Sequence, residues 1–156
     1  MKLEIGCGRK PNPGFKTIDI ESYANPDFLG DFRTMSFSDV EEIYSAHLLE
    51  HFDRNEAPEI IKLWYSWLKE GGRIVIEVPD FLGICEQMIN DTNPKHRYWL
   101  CRHAFGSQEF DWAYHKEGYW DDKLSSLLIN QGFRVLGIYK KIRRGYLPNL
   151  IVEAIK

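Results

Sequence analysis

Cysteine is scarce and unpatterned: Cys7, Cys85 and Cys101 are the only three, and no two stand in C-x-x-C spacing. That excludes a disulfide framework and a cysteine-rich zinc site, and it fits a reducing compartment. No apolar run approaches the ~18 residues of a membrane span. Lys2 leads straight into a strand-like pattern, so no signal segment is read. The expectation is a soluble, cytoplasmic protein with no membrane partner. Charge of neither sign is in large excess. The net charge is -3, so no global field favours nucleic acid, and no nucleic-acid partner is expected. Lys140, Lys141, Arg143 and Arg144 form a local basic turn, read as a solvated hairpin loop. Internal repeats and low-complexity tracts are absent.

What remains is an ordinary globular composition. The 156 residues are 44% hydrophobic and 28% charged, enough to bury a core in a single domain spanning 1–156. Strand-like segments are expected at 2–5, 16–20, 42–46, 73–78, 134–139 and 150–155. The clearest helix lies between the third and fourth of these. Ala57, Ile60, Ile61, Trp64, Trp67 and Leu68 share one face at helical spacing, with packing the default role for both tryptophans. Asp53 and Glu56 form a capping-box pattern, and Gly71-Gly72 marks the end. Further helices are expected at 121–131 and 81–90. Alternating strands and helices indicate an α/β fold with a mainly parallel central sheet and helices on both faces. The connection 140–149 is too short for a crossover helix, so the last two strands should form a C-terminal antiparallel hairpin. Residues 92–120 are the least regular stretch and are expected to be a substrate-side loop or lid.

Chemistry concentrates near the first strand. Leu3-Glu4-Ile5-Gly6-Cys7-Gly8 reads as a strand entering a Gly-x-Gly turn, where the backbone can approach a ligand closely. Thr17-Ile18-Asp19-Ile20-Glu21 reads as a second strand ending in carboxylates suited to a ribose diol. Together they point to a nucleoside-containing cofactor across the ends of parallel strands. A nicotinamide fingerprint fits less well, because no third glycine follows and Asp19 comes too soon after Gly8.

These residues resemble the class I S-adenosylmethionine-dependent methyltransferases, a Rossmann-like family. The closer likeness is to its small type-11-like group with a Leu-Glu-His motif after the fourth strand. The motifs are Glu4-x-Gly6-x-Gly8, Asp19, Asp31-Phe32, and Ser45-Ala46-His47-Leu48-Leu49-Glu50-His51. Trp67-Leu68-Lys69-Glu70-Gly71-Gly72-Arg73, Val78-Pro79-Asp80 and Gln131-Gly132-Phe133 complete the set. The resemblance covers nearly the whole chain. It implies methyl transfer from S-adenosyl-L-methionine to an acceptor, expected to be a small molecule. It also implies that the amides of Gly6, Cys7 and Gly8 meet the cofactor carboxylate and that Glu4 lies near its ammonium group. Asp19 would take the ribose, Asp31 and Phe32 the adenine, with the backbone at Ala46 and His47 completing the site. The acceptor would approach from 92–120, with His115 as a candidate general base.

The chain departs from the family in two places. Arg9-Lys10 stand where a third glycine is usual, and 9–15, with Pro11 and Pro13, is too short for the helix after the first strand. A non-catalytic module binding S-adenosylmethionine or S-adenosylhomocysteine is therefore the alternative. His47-Leu48-Leu49-Glu50-His51 also matches the H-x-x-E-H pattern of zinc peptidases. That pattern needs a helix through both histidines, which the flanking elements leave little room for, so no metal ligand is assigned. Glu50 and His51 are read as bonding local backbone.

Overall fold

A computed structural model describes all residues, Met1–Lys156. Seven strands form one sheet: β1 (Lys2–Ile5), β2 (Lys16–Asp19), β3 (Phe28–Leu29), β4 (Val40–Ala46), β5 (Leu68–Pro79), β6 (Arg134–Arg143) and β7 (Leu147–Ile155). Their order is β3-β2-β1-β4-β5-β7-β6. The first five pair in parallel, while β7 runs antiparallel to both β5 and β6. The hairpin expected from the short 140–149 connection is therefore present, longer than the periodicity outlined. The two-residue β3 has no sequence signal of its own.

Side-chain alternation along the strands divides the sheet. Leu3, Ile5, Ile43, Ile74, Ile76, Val78, Leu150, Val152 and Ala154 all join one buried core. Two helices close it: α1 (Glu56–Trp67) through Ile60, Ile61, Trp64 and Trp67, and α4 (Asp121–Asn130) through Leu124 and Leu128. The capping box at the start of α1 is made in both directions. Asp53 N–H donates to Glu56 Oε2 at 3.1 Å, and Glu56 N–H donates to Asp53 Oδ1 at 3.0 Å.

The opposite face is covered unequally. Here α2 (Phe81–Asn90) and α3 (Pro94–Phe105) pack on each other and on β7 near the carboxyl end of the sheet. Farther from that end the face carries ions. Lys2 pairs with Glu42 at 2.8 Å, and Arg73 bridges Glu42 at 3.4 Å and Glu153 at 2.8 Å. Phe15, from the short loop after β1, packs edge-on against Tyr44.

The stretch 92–120 is not irregular throughout, as α3 occupies its first half. Its start follows capping rules: Pro94 opens the first turn, and the Asn93 side chain accepts the Lys95 N–H at 3.0 Å. Helical periodicity failed to mark it because only Leu100 is buried. Gly106 then lets the chain fold back. With φ at +82°, a Cβ there would lie 2.1 Å from the Ala113 carbonyl oxygen. The bare backbone instead bridges to Tyr114.

Candidate functional site

The strand order reverses between β1 and β4, since the chain leaves β1 toward β2 and returns from β3 to β4. Open α/β sheets bind ligands outside the carboxyl ends of strands at such a switch point. A cavity of ≈ 410 Å³ lies there. Gly6, Gly8 and Leu48 form part of its wall, and Asp19, Ile20 and Glu21 project from the end of β2. Asp31, Phe32 and Arg33 lie along one side, while His47, His51, Phe52, Trp112 and Lys116 lie along the others. Gly6 is required by packing: its φ is +72° and a Cβ would press on Leu48 at 3.2 Å.

Of the sequence-predicted residues, Gly6, Gly8, Asp19, Asp31, Phe32 and His47 line this crevice. Glu4, Cys7, Ala46 and His115 do not. Glu4 alternates with Leu3 and Ile5 and so points to the opposite side of the sheet. Its carboxylate is buried and accepts the Asn12 N–H at 2.6 Å, with burial pushing its pKa up against that bond. Cys7 is buried beside Asp19. Desolvation, then the charges of Asp19 and Glu4, raise its thiol to about 11.

The Gly6–Gly8 amides do not form the anion nest expected of them. Gly6 and Cys7 N–H both donate to the Ile18 carbonyl, at 2.9 and 3.4 Å, and Gly8 N–H donates to Asp19 Oδ2 at 2.9 Å. The missing helix after β1 explains this. Without a helix axis to aim them outward, the amides turn sideways and satisfy themselves on β2. Asp19 is thereby fixed from both ends, its Oδ1 accepting the Glu21 N–H at 2.9 Å. Oδ2 also accepts the Cys7 thiol at 3.9 Å, while Oδ1 has the Glu21 amide as its one partner. Asp31 is engaged by Arg33, whose Nη2 lies 2.7 Å from Oδ2 and holds the carboxyl below its ordinary range.

The segment after β4 carries no helix through His47 and His51, in keeping with the little room the flanking elements leave. His47 has φ +53°, and only a short 3-10 turn, Leu49–His51, follows. The two histidines of the H-x-x-E-H pattern therefore do not stand on one helix, and the peptidase geometry is absent. Burial opposes protonation of His47, but the carboxylates of Glu50 and Glu77, 3.2 and 3.8 Å from its ring nitrogens, outweigh it and push its pKa up to about 9. His47 Nδ1 lies 3.2 Å from Glu50 Oε1, and Asn149 Nδ2 lies 3.1 Å from Nε2.

His115 is brought in by main-chain bonds: Lys116 N–H donates to the Glu50 carbonyl at 2.8 Å, and Glu117 N–H at 3.3 Å. Its ring is mostly buried, edge-on to His51 at 4.7 Å between centroids, with Nε2 3.8 Å from Glu50 Oε1. Burial lowers its pKa. Glu50, read from sequence as a backbone-bonding residue, is instead a fully buried carboxylate facing these rings. Sequence reasoning also missed Arg33, Phe52, Trp112 and Lys116. The last two reach the crevice from 92–120, the side from which an acceptor was expected.

No family model matches the chain, and no curated protein matches its sequence. Solved structures match along its whole length. A methyltransferase from Methanosarcina mazei that depends on S-adenosylmethionine superposes with TM-score 0.67 at 16% identity, over 99% of this chain and 91% of that one. Magnesium protoporphyrin IX methyltransferase from Synechocystis PCC 6803, with S-adenosylhomocysteine bound, gives 0.66 at 16% identity over 100% and 74%. The 1,6-didemethyltoxoflavin-N1-methyltransferase of Burkholderia thailandensis, with 1,6-didemethyltoxoflavin and S-adenosylhomocysteine bound, gives 0.66 at 13% over 99% and 70%. The chain has the fold of the class I S-adenosylmethionine-dependent methyltransferases.

Proposed function

We propose that this protein transfers a methyl group from S-adenosyl-L-methionine to a small-molecule acceptor, with the cofactor in the switch-point crevice. The observation that carries the proposal is the placement of Asp19. Its carboxylate is locked by two backbone amides at the end of β2, beside an apolar wall of Phe32, Leu48 and Phe52. A ribose diol and a flat adenine ring match those surfaces. When bound, the cofactor supplies an electrophilic methyl carbon on a sulfonium.

The residues of this chain then have positioning work. Asp19 orients the sugar, Phe32 and Phe52 exclude water from the base, and Trp112 and Lys116 border the acceptor side. In-line displacement depends chiefly on alignment, so a general base is not required. His115, buried against Glu50, is less suited to that role than its position in the sequence suggested. The cofactor's amino-acid end would need donors other than the engaged Gly6–Gly8 amides. Arg33, Lys116 and His47, whose pKa is raised to about 9, are the cations that line the crevice.

That same engagement favours a second reading, a module that binds S-adenosylhomocysteine or S-adenosylmethionine without catalysis. Incubation with methyl-labelled S-adenosylmethionine and a panel of hydroxyl, amine and carboxylate acceptors separates the two. Label in an acceptor supports transfer. Binding without label supports the module, and no binding of either nucleoside overturns both.

A further inference from the structure

Beside the crevice, Glu50, His51 and His115 bring one carboxylate and two imidazoles within 4.8 Å of one another, counted between ligand atoms. Glu50 has 1% of its surface exposed, and its Oε2 has no hydrogen-bond partner. A buried ionised oxygen without a partner is costly and calls for one. Its Oε1 faces His47 Nδ1, which fixes the orientation of the carboxylate. His51 Nδ1 lies 3.0 Å from the Tyr114 carbonyl. That contact places the proton on Nδ1 and leaves Nε2 with a free lone pair, the arrangement usual for a metal-bound histidine. His115 Nε2 lies 3.8 Å from Glu50 Oε1, on the same carboxylate.

We propose that Glu50, His51 and His115 bind a first-row divalent transition cation, with zinc or iron(II) the class that two imidazoles and one carboxylate favour. At ligand bonds of about 2.1 Å a tetrahedral ion spaces its ligands about 3.4 Å apart. The widest spacing, at most 4.8 Å, must therefore close by no more than about an ångström and a half, and the 3.8 Å between His115 Nε2 and Glu50 Oε1 by much less, a movement within reach of side-chain rotation. Three protein ligands leave coordination positions open, and His51 also lines the crevice. An acceptor with a hydroxyl or amine donor would complete the sphere there. That last role rests on the methyltransferase reading, whereas the cation site does not. The site is distinct from the peptidase pattern of the sequence, since His47 is replaced by His115 from another part of the chain.

Cobalt(II) titration of the purified protein, followed by visible absorption, tests the site without any S-adenosylmethionine. Saturation at one equivalent with the intense bands of four- or five-coordinate cobalt, reversed by zinc, is expected. His51→Ala and His115→Ala should each weaken binding about tenfold or more, while His96→Ala, remote from the cluster, leaves it unchanged. Should either variant fail to fold, histidine ring NMR of the unaltered protein decides. Zinc must then shift the His51 and His115 signals and spare His96. A spectrum that stays that of aqueous cobalt, equal affinity in all three variants, or shifts that avoid His51 and His115 would overturn the site. Failure here leaves the transferase proposal standing, because cofactor binding is measured separately.

Discussion

Replacing Asp19 with alanine bears on both fold and site. The substitution removes an acceptor from the Gly8 and Glu21 amides, each at 2.9 Å, and from a ribose bound in the crevice. Hydrogen bonds to a charged group contribute about 1.5–3 kcal/mol each when protected. Asp19 is only half-buried, so water reaches the vacated amides and the stability loss should stay near about 1–2 kcal/mol. The ribose contacts have no such substitute once the crevice is filled. Their loss should weaken S-adenosylhomocysteine about 10- to 100-fold. Calorimetric titration reads the affinity, and urea unfolding reads the stability. Asp27→Ala, just before β3, provides the control, because its side chain bonds the same strand from outside the crevice. Asp27 anchors Lys16 and Thr17 of β2 through bonds of 2.6 to 3.0 Å but lies outside the crevice. It should lose stability and keep its dissociation constant. An unchanged constant in Asp19→Ala, or an equal loss in Asp27→Ala, would refute the assignment of the crevice to a nucleoside.

Gly106→Ala should lower stability by about 2–4 kcal/mol, since it forces a side chain into φ +82° against the Ala113 carbonyl; an unchanged melting temperature would contradict that packing. Glu77 is held down to about 2, first by the His47 imidazole 3.8 Å away and then by the Asn149 amide that donates to it, with burial opposing. A folded pKa below the unfolded one gives stability present above about pH 4 and lost as pH falls toward 2. Acid unfolding should steepen in that window and flatten in Glu77→Gln. Alkylation at pH 8 should modify the exposed Cys85 and Cys101 and spare Cys7, whose thiol is buried and raised to about 11. Mass spectrometry finding all three modified at one rate would remove that picture of the first turn.

The sequence carried what short-range physics writes into it. Apolar alternation set β1, β4 and the centre of β5. Helical spacing set the buried face of α1, and the Asp53–Glu56 box set its entry, because periodicity and capping depend on neighbours within a few residues. The short 140–149 connection dictated antiparallel pairing before any partner was known. Asp19 was legible because it ends a strand-like segment, and parallel strands present their carboxyl ends to the switch point; Asp31 and Phe32 rested on the family resemblance alone, since β3 leaves no signal of its own. Elsewhere the local code was silent or misleading. α3 buries too little to leave a stripe, so it read as loop. The Gly6–Gly8 turn looked like a nest, yet its amides close on Ile18 and Asp19, which depends on how β2 lies beside β1. Glu50 and His51 meet His115 only because main-chain bonds carry the segment after α3 back across the end of β4. No spacing rule links residues that far apart; their convergence follows from the sheet order and from Gly106, which lets two backbones touch.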